Sequence, residues 1–261
     1  MNSYFLELYD DKKVIYDSKG SVKGYKLYDN CPNKDICWKN IESQKADWNI
    51  IPFPYIGSDF RTEEHSIAII GLNLNGHGGI SSLRDLILDA QYALRKGWVK
   101  IRFSLDYKRY RGTYLFHRAA VYSNIIRDKY TNNNSSELSP KKLASIWDKV
   151  CYLEAIKCSP ANNSNSKPSS EMYKICPKEY LLKELQILKP KVLIVLGKDT
   201  INPYELFKVT GEQQSANANF YYYTISDNPI KCIYKVVHPS ARGSNRNDVI
   251  AEFQTFCSAI G

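Results

Sequence analysis

The feature that most constrains the fold is the alternation, after residue 65, of short apolar segments with longer amphipathic ones. IAIIGLNL, VKIRFSLDY, CYLEAIKC, KVLIVLG, FYYYTI and IYKVVHP have the length and composition of strands. Helix patterns accompany them in SSLRDLILDAQYALRKG, TYLFHRAAVYSNIIRDKY, PKEYLLKELQILKP and DVIAEFQTFCSAI. Because strands that alternate with helices form parallel sheets covered on both faces, we predict an α/β fold. The expected architecture is a three-layer α/β/α sandwich with a mostly parallel central sheet.

The first 65 residues have a different pattern. YFLELYD, KKVIYD and GYKLYD are short, aromatic and partly alternating, and turn-forming residues separate them, which is typical of a small β-meander. CPNKDICWKN and IIPFPYIG are expected to be irregular. We therefore predict two domains, a β-rich extension over residues 1–65 and an α/β domain over residues 66–261.

Composition narrows the choice of partner and compartment. Lys and Arg total 36 against 27 Asp and Glu, a formal charge of +9, which suits a polyanionic partner; a solvated basic surface is the alternative. No apolar run approaches the roughly 20 residues that span a bilayer, and no charged-then-apolar leader is present. We expect a cytoplasmic protein without a membrane partner. The odd number of cysteines, seven, favours free thiols or a metal site over a complete disulfide framework.

The carboxyl ends of the predicted strands locate a candidate site. In open α/β sheets, ligands bind beyond these strand ends. The turns that follow IAIIG, CYLEAIKC, KVLIVLG and YKVV therefore share one rim. This rim carries Asn73, His77, Cys158, Lys198 and His238.

Three motifs in this order resemble the uracil-DNA glycosylase superfamily. IIGLNLNG is similar to its first motif in the mismatch-specific and single-strand-selective branches, and VVHPSARGSN to its second motif. YLEAIKCSP and ICPKEYLLKELQILKPKVLIVLG look like the iron–sulfur branch, to which the chain is closest. The resemblance runs from Ser66 to the C-terminus, with a poor match over Asp106–Ser139.

The resemblance implies a DNA base glycosylase that flips a deaminated, damaged or modified base, with uracil as the default, and hydrolyses its N-glycosidic bond. Asn73 would hold the attacking water, and His238 would donate a hydrogen bond to the base oxygen where negative charge develops. A turn residue and a satisfied, partly buried histidine are the alternatives. The other residues that the resemblance or their position assigns to substrate binding are Gly71, Leu72, Asn75, His77, Glu154 and Ser240.

The implied partner is DNA, single- or double-stranded, bound by a monomer. The loop after His238 would enter the duplex near Arg242, and arginine also contacts phosphate. Arg242, Arg246 and Lys198 are therefore the candidate DNA-binding residues. An ordinary solvated loop is the alternative.

The resemblance also implies a metal centre. Cys158 and Cys176 occupy the positions of the last two ligands of the iron–sulfur branch, and Cys31 and Cys37 would supply the first two. Four thiolates suit a [4Fe–4S] cluster, zinc is the alternative cofactor, and four unrelated buried thiols remain open. The spacing of the first pair departs from the family's Cys-x-x-Cys. The remaining cysteines are expected to be core residues: Cys151, Cys232 and Cys257.

Two departures bear on the substrate. Leu74-Asn75 replaces the Pro-Gly of the first motif, and Glu154 stands where the iron–sulfur branch has an asparagine that reads the base. An ionised carboxylate only accepts hydrogen bonds, so it favours an amino group such as that of cytosine or adenine. The aromatic residue that stacks on the flipped base is unassigned, with candidates Phe103, Tyr107 and Tyr110.

Two other functions stay open. A non-catalytic DNA or modified-nucleotide binding protein of the same superfamily would also explain the altered motif and Glu154. GLNLNGHGG could instead be the phosphate-binding loop of a nucleotide-binding enzyme, but it lacks the Gly-Lys-Ser/Thr ending of a P-loop and fits Gly-x-Gly-x-x-Gly poorly.

Overall fold

Two β-sheets organise the part of the chain that the structure, a computed structural model, describes. That part comprises residues 14–16, 22–26, 31–37, 50–51, 54–72, 83–96, 113–131, 139–157, 168–226, 229–239 and 246–260. The smaller sheet is antiparallel and joins β1 (Val14–Tyr16), β2 (Val22–Lys26) and β3 (Ile50–Ile51). Strands β1 and β2 fit the predicted β-meander, whose first segment, YFLELYD, lies outside the described residues.

The larger sheet has seven strands in the order β4-β6-β5-β7-β10-β9-β8. Its strands are β4 (Tyr55–Ile56), β5 (Ile67–Gly71), β6 (Val150–Glu154), β7 (Val192–Leu196), β8 (Val209–Gln214), β9 (Tyr221–Ile225) and β10 (Cys232–Val236). Strand β7 pairs in parallel with both β5 and β10, whereas β9 pairs antiparallel with β10 and β8. All residues of β5, β6 and β7 are buried, as strands covered on both faces require. The predicted α/β class with a mostly parallel central sheet is confirmed.

The four predicted amphipathic segments form helices, whereas a short helix in CPNKDICWKN, a segment expected to be irregular, and one that begins after Ser139 were not predicted. The helices of the described ranges are α1 (Lys34–Cys37), α2 (Leu83–Arg95), α3 (Thr113–Tyr130), α4 (Pro140–Ile146), α5 (Ser170–Cys176), α6 (Leu182–Leu188), α7 (Pro203–Leu206) and α8 (Arg246–Ala259). Helix α3 has the predicted bounds. None of these helices has both the length and the apolar character needed to cross a membrane.

The predicted helix PKEYLLKELQILKP begins earlier than the sequence indicates. Ser169 caps α5 by accepting a hydrogen bond from the amide of Met172, and the helical run continues through a π-helical turn, Pro177–Leu181, into α6. Because proline has no N–H, Pro177 cannot make the regular helical hydrogen bond, and the wider π turn lies at this position. The run ends as predicted before Pro190, with Lys189 in the left-handed conformation at φ 52°.

Three of the described strands were missed. Strands β3 and β4 both lie in IIPFPYIG, a segment expected to be irregular, and β3 pairs with Lys26 and Tyr25 of β2. Strand β8 has a polar sequence, VTGEQQ, in which every residue is at least partly exposed. An edge strand with so little apolar alternation gives no periodic signal. The predicted strand VKIRFSLDY lies outside the described residues.

The described residues form two compact units, each assembled from three stretches of the chain. The first unit comprises residues 1–55, 71–85 and 153–189, and the second comprises residues 56–70, 86–152 and 190–261. The core of the second unit is aromatic: Tyr122 of α3 packs against Phe253 of α8, and Phe220 packs against both. The domain boundary at residue 65 stays a prediction.

Candidate active site

The end of strand β10 carries His238, which lies against the turn that follows the neighbouring strand β7. Leu196 and Val236 pair at the ends of these parallel strands, and the amide of Gly197 donates a 2.9 Å hydrogen bond to the carbonyl of Val236. A Cβ atom on Gly197 would lie 3.6 Å from both Cβ and Cδ2 of His238. A side chain at residue 197 would therefore occupy the space beside His238.

Gly197 is required by the shape of the turn. Its φ is +101°, a conformation that L-residues rarely adopt. The hydroxyl of Thr200 donates a 2.6 Å hydrogen bond to the carbonyl of Leu196 and would lie 3.1 Å from a Cβ on Gly197. The hydrogen bond thus closes the turn beside His238.

Burial sets the charge of His238. Desolvation lowers the pKa of its imidazole from the ordinary value of 6.5, so the ring is neutral near pH 7. A neutral imidazole carries one N–H donor and one acceptor nitrogen. Helix α3 contacts the residue before His238: the Tyr122 hydroxyl donates a 3.5 Å hydrogen bond to the carbonyl of Val237.

Lys198, the next residue after Gly197, is exposed at this strand end. Its ammonium group lies 5.8 Å from the ring centroid of Tyr221, within the range of a cation–π contact. Arg246, the first residue of α8, is the other described candidate for DNA contact. Ser240 and Arg242 lie outside the described residues.

In the first unit, the chain beyond β6 runs along the chain beyond β5. The amides of Ala155 and Ile156 donate hydrogen bonds of 2.8 and 2.9 Å to the carbonyls of Gly71 and Leu72. Glu154, which immediately precedes these amides, is buried at 3% relative exposure. The structure thus brings three of the predicted substrate-binding residues to one pair of strand ends, whereas Asn73, Asn75 and His77 lie outside the described residues.

The chain just after β6 also carries an ion pair that the sequence did not predict. Lys157 forms a salt bridge of 2.5 Å with Glu184 of α6, and both side chains are almost completely buried, at 1% and 0% exposure. A buried ion pair needs excellent geometry to offset desolvation. The only local signal was the Lys-Cys dipeptide at the strand end, which does not point to a glutamate 27 residues later.

Three of the four predicted metal ligands are described, and all belong to the first unit. Helix α1, which ends at Cys37, packs on α5, which ends at Cys176. The hydroxyl of Ser169 donates to the carbonyl of Cys37 at 2.8 Å, and the Tyr180 hydroxyl lies 3.5 Å from the Cys31 sulfur. Burial, followed by the charges of Cys176 and Cys31, raises the pKa of the Cys37 thiol to about 11.

These sulfur atoms are close enough to interact electrostatically, but they are not a complete metal site. Within the described ranges, no group of three or more His, Cys, Asp and Glu side chains is arranged to hold a metal ion. Cys158, the fourth predicted ligand, lies outside those ranges. The prediction of a buried core role is confirmed for the other cysteines, Cys151, Cys232 and Cys257.

Comparison with protein families gives one match. The model of the uracil DNA glycosylase superfamily matches residues 113–259, which is more than half of the chain. No curated protein matches the chain. The matched region contains Glu154, Cys158, Cys176, Lys198 and His238, and it leaves out Cys31, Cys37 and the turn after β5.

Proposed function

The chain belongs to the uracil DNA glycosylase superfamily, and we propose that it is a DNA base glycosylase. Its substrate would be a flipped nucleotide that carries a deaminated, damaged or modified base. The reaction breaks the N-glycosidic bond: the bonding electron pair leaves with the base, and water adds its oxygen to the sugar carbon and gives up a proton. The superfamily acts on DNA, and the iron–sulfur branch is the part of it that the motifs resemble.

The observation that carries this proposal is the setting of His238. The imidazole is neutral because burial lowers its pKa, and it lies against the closed Gly197 turn at a strand end. A prepositioned neutral N–H donor stabilises negative charge that develops on a base oxygen without the cost of reorganising solvent. We assign this hydrogen bond to His238 and the positioning of water to Asn73.

The proposed substrate class depends on Glu154. Uracil stays the reference substrate, but a carboxylate accepts hydrogen bonds and donates none. Its position at the end of β6, one residue before the chain that bonds to Gly71 and Leu72, supports a contact with the base. A base with an exocyclic amino group would satisfy this acceptor, and a site built for one hydrogen-bonding pattern rejects the other strongly. We also assign substrate binding to Gly71, Leu72, Asn75, His77 and Ser240.

DNA binding would use the basic residues Lys198, Arg242 and Arg246. We assign phosphate contacts to Lys198 and Arg246, and entry into the duplex to the loop at Arg242. Phosphate contacts fix register and carry no sequence information. Selectivity would therefore come from the pocket.

We also propose a thiolate metal centre formed by Cys31, Cys37, Cys158 and Cys176. The donor chemistry fits, because three buried or half-buried thiols interact electrostatically, and a bound cation or cluster would stabilise their thiolate forms. A [4Fe–4S] cluster, or zinc in its place, would fasten the N-terminal loop to α5.

Metal analysis of protein purified without air tests this centre. Iron with acid-labile sulfide would identify the cluster, and zinc alone would identify the alternative cofactor. We expect Cys176→Ser to lower the metal content strongly and Cys257→Ser, at a site of equal burial, to leave it unchanged. Metal-free wild-type protein would contradict the proposal.

An alkali-cleavage assay on labelled oligonucleotides tests the glycosylase activity. The panel carries uracil, hypoxanthine, xanthine and modified cytosines, each in single strands and in matched and mismatched duplexes. We expect His238→Ala to lower the cleavage rate by about 10²–10³-fold, the usual effect of losing one such donor, and Asn73→Ala to lower it as well. His65→Ala is the matched control, because His65 stacks on Tyr130, 4.6 Å between ring centroids, and has no assigned role.

The cleavage assay also tests the alternative function. Cleavage of some base that His238→Ala does not reduce would contradict the assigned role of this histidine. Absence of cleavage on the whole panel, with DNA still bound, would instead identify a non-catalytic binding protein. The replacement of Pro-Gly by Leu74-Asn75 in the first motif and the presence of Glu154 are the observations that favour this second candidate.

A further inference from the structure

Strand β9 carries three consecutive tyrosines, and the strand's alternation divides them between two environments. Tyr222 packs against Tyr234, 5.0 Å between ring centroids, on the side of the aromatic core. Tyr221 and Tyr223 point to the opposite face and stack on each other at 6.3 Å with an interplanar angle of 10°. This face of the antiparallel edge is partly exposed, and the core does not explain its aromatic content.

A third tyrosine completes the surface. The ring of Tyr204 in α7 meets Tyr223 edge to face at 5.9 Å and 88°. Tyr223 is buried at 5% exposure, whereas Tyr204 is 59% exposed. We define the tyrosine face by the side chains that line it, which are Lys198, Tyr204, Glu212, Tyr221, Tyr223 and Lys235.

The exposed ring is held in place. The hydroxyl of Tyr204 donates a hydrogen bond to the carboxylate of Glu212, and this bond raises the pKa of the phenol. The ring is thus fixed by Tyr223 on one side and Glu212 on the other. Because a fixed side chain loses little conformational entropy on binding, Tyr204 is prepared for a planar ligand.

The charge of the face suits an anionic ligand. Lys198 lies 5.8 Å from the Tyr221 ring, and Lys235 pairs with Tyr221 across the β9–β10 ladder. Burial lowers the pKa of Lys235, and Lys198 lowers it further, although Asp199 and Glu212 act in the opposite direction. An anionic oxygen between the Lys198 and Lys235 ammonium groups would offset the desolvation and the charge repulsion that lower the pKa of Lys235.

The face is continuous with the candidate active site. Lys198 directly follows Gly197, which lies beside His238, and Lys235 of β10 lies three residues before His238 along the chain. A strand of DNA that places one nucleotide at His238 therefore brings the adjoining nucleotides to the tyrosine face.

We propose that the tyrosine face binds single-stranded DNA next to the flipped nucleotide. A flanking base stacks on Tyr204, whose ring is nearly perpendicular to those of Tyr221 and Tyr223, and the phosphate beside it contacts Lys198 and Lys235. Stacking on aromatic side chains requires an unpaired base with a free face, which a duplex does not offer. This inference rests on the proposed function for the position of the strand, and it adds a preference for single-stranded substrate.

Fluorescence anisotropy of the full-length protein with a labelled oligothymidine, which contains no substrate base, measures this binding apart from catalysis. We expect Tyr204→Ala to weaken binding of the single strand at least about fivefold, the low end of the range for loss of one stacked base. Tyr204→Phe, which keeps the ring, should retain most of the affinity. Lys198→Gln should reduce the slope of log K against log salt by about 0.7, the value for one phosphate of a single strand.

Tyr92 and Lys96 of α2 provide matched controls. Tyr92 is 50% exposed, and the Lys96 ammonium lies 5.7 Å from its ring centroid, so the pair has the same chemistry elsewhere on the surface. Tyr92→Ala and Lys96→Gln should leave the affinity and the salt slope unchanged. Thermal denaturation of each variant shows whether its fold is retained.

Three results would overturn the inference: no binding of the single strand by the wild type, no loss in Tyr204→Ala, or an equal loss in Tyr92→Ala. A loss in Tyr204→Ala that is as large for a perfectly matched duplex would overturn it too. The cleavage assay separates this inference from the proposed function. Binding that depends on Tyr204, without cleavage of any base, would support the tyrosine face and reject the glycosylase. Cleavage together with unchanged binding in Tyr204→Ala would support the glycosylase and reject the tyrosine face.

Discussion

The two compact units deal with buried ionisable groups in opposite ways. In the first unit, Lys157 and Glu184 are buried together as an ion pair at 2.5 Å. In the second unit, His238 is kept neutral by burial, and burial also lowers the pKa of His117 on α3 to about 4, with the charge of Arg118 as a further cause. The first arrangement retains charge because each ion has a partner, whereas the second removes it by desolvation.

The difference matters for what each region can do. In a fully buried ion pair each side chain is held by the other. We therefore expect Lys157 and Glu184 to fix the chain after β6 and to take no part in proton transfer. A histidine that is neutral near pH 7 carries one N–H donor and one acceptor nitrogen. In the proposed function, His238 of the second unit is the group that responds to charge developing on the base.

The largest expected effect comes from breaking the ion pair. Lys157→Met leaves the Glu184 carboxylate buried without its ammonium partner, and we expect the free energy of unfolding to fall by about 3–5 kcal/mol. Urea denaturation at neutral pH measures this change. The double variant Lys157→Met, Glu184→Leu is the control, because replacing a whole buried pair by apolar residues is often neutral. A double variant as unstable as the single one would show that the loss comes from packing and not from an uncompensated charge.

A smaller effect, dependent on pH, should come from His117. Its pKa is about 4 in the folded protein against 6.5 unfolded, so the unfolded chain takes up the proton first as pH falls. The free energy of unfolding should therefore decrease between about pH 6.5 and pH 4, by up to about 3 kcal/mol from this residue. His117→Gln should remove this part of the pH dependence. For each protein, the measured quantity is the change in the free energy of unfolding relative to its own value at pH 8. Parallel stability curves for the two proteins would contradict the prediction.

The sequence predicted best those elements whose signal is local. Helix α3 has the predicted bounds, Thr113–Tyr130, because its 18 residues contain no glycine or proline to interrupt it. Strand β7 was predicted from a continuous apolar run closed by glycine, and its burial on both faces is what such a run indicates. The resemblance also followed from contiguous motifs; the match over residues 113–259 bears out the superfamily, whereas the iron–sulfur branch stays a prediction.

The elements that were missed have signals spread over distant positions. Strand β8 is polar because it lies at the edge of the sheet, and only its pairing with β9 identifies it. The assignments of Asn73, His77 and Cys158 stay predictions, as do the roles of Glu154 and His238. No pattern in the sequence connects Tyr204 with Tyr223, which belong to different elements.

The sequence by itself determined which residues could carry chemistry at the strand ends, because strand ends and turns are encoded within a few neighbouring residues. Only the tertiary structure decided their electrostatic state. The neutrality of His238 depends on its burial, and the ion pair of Lys157 depends on a glutamate from helix α6. Desolvation and Coulomb interactions act through space, so their strength is fixed only when distant parts of the chain are brought together.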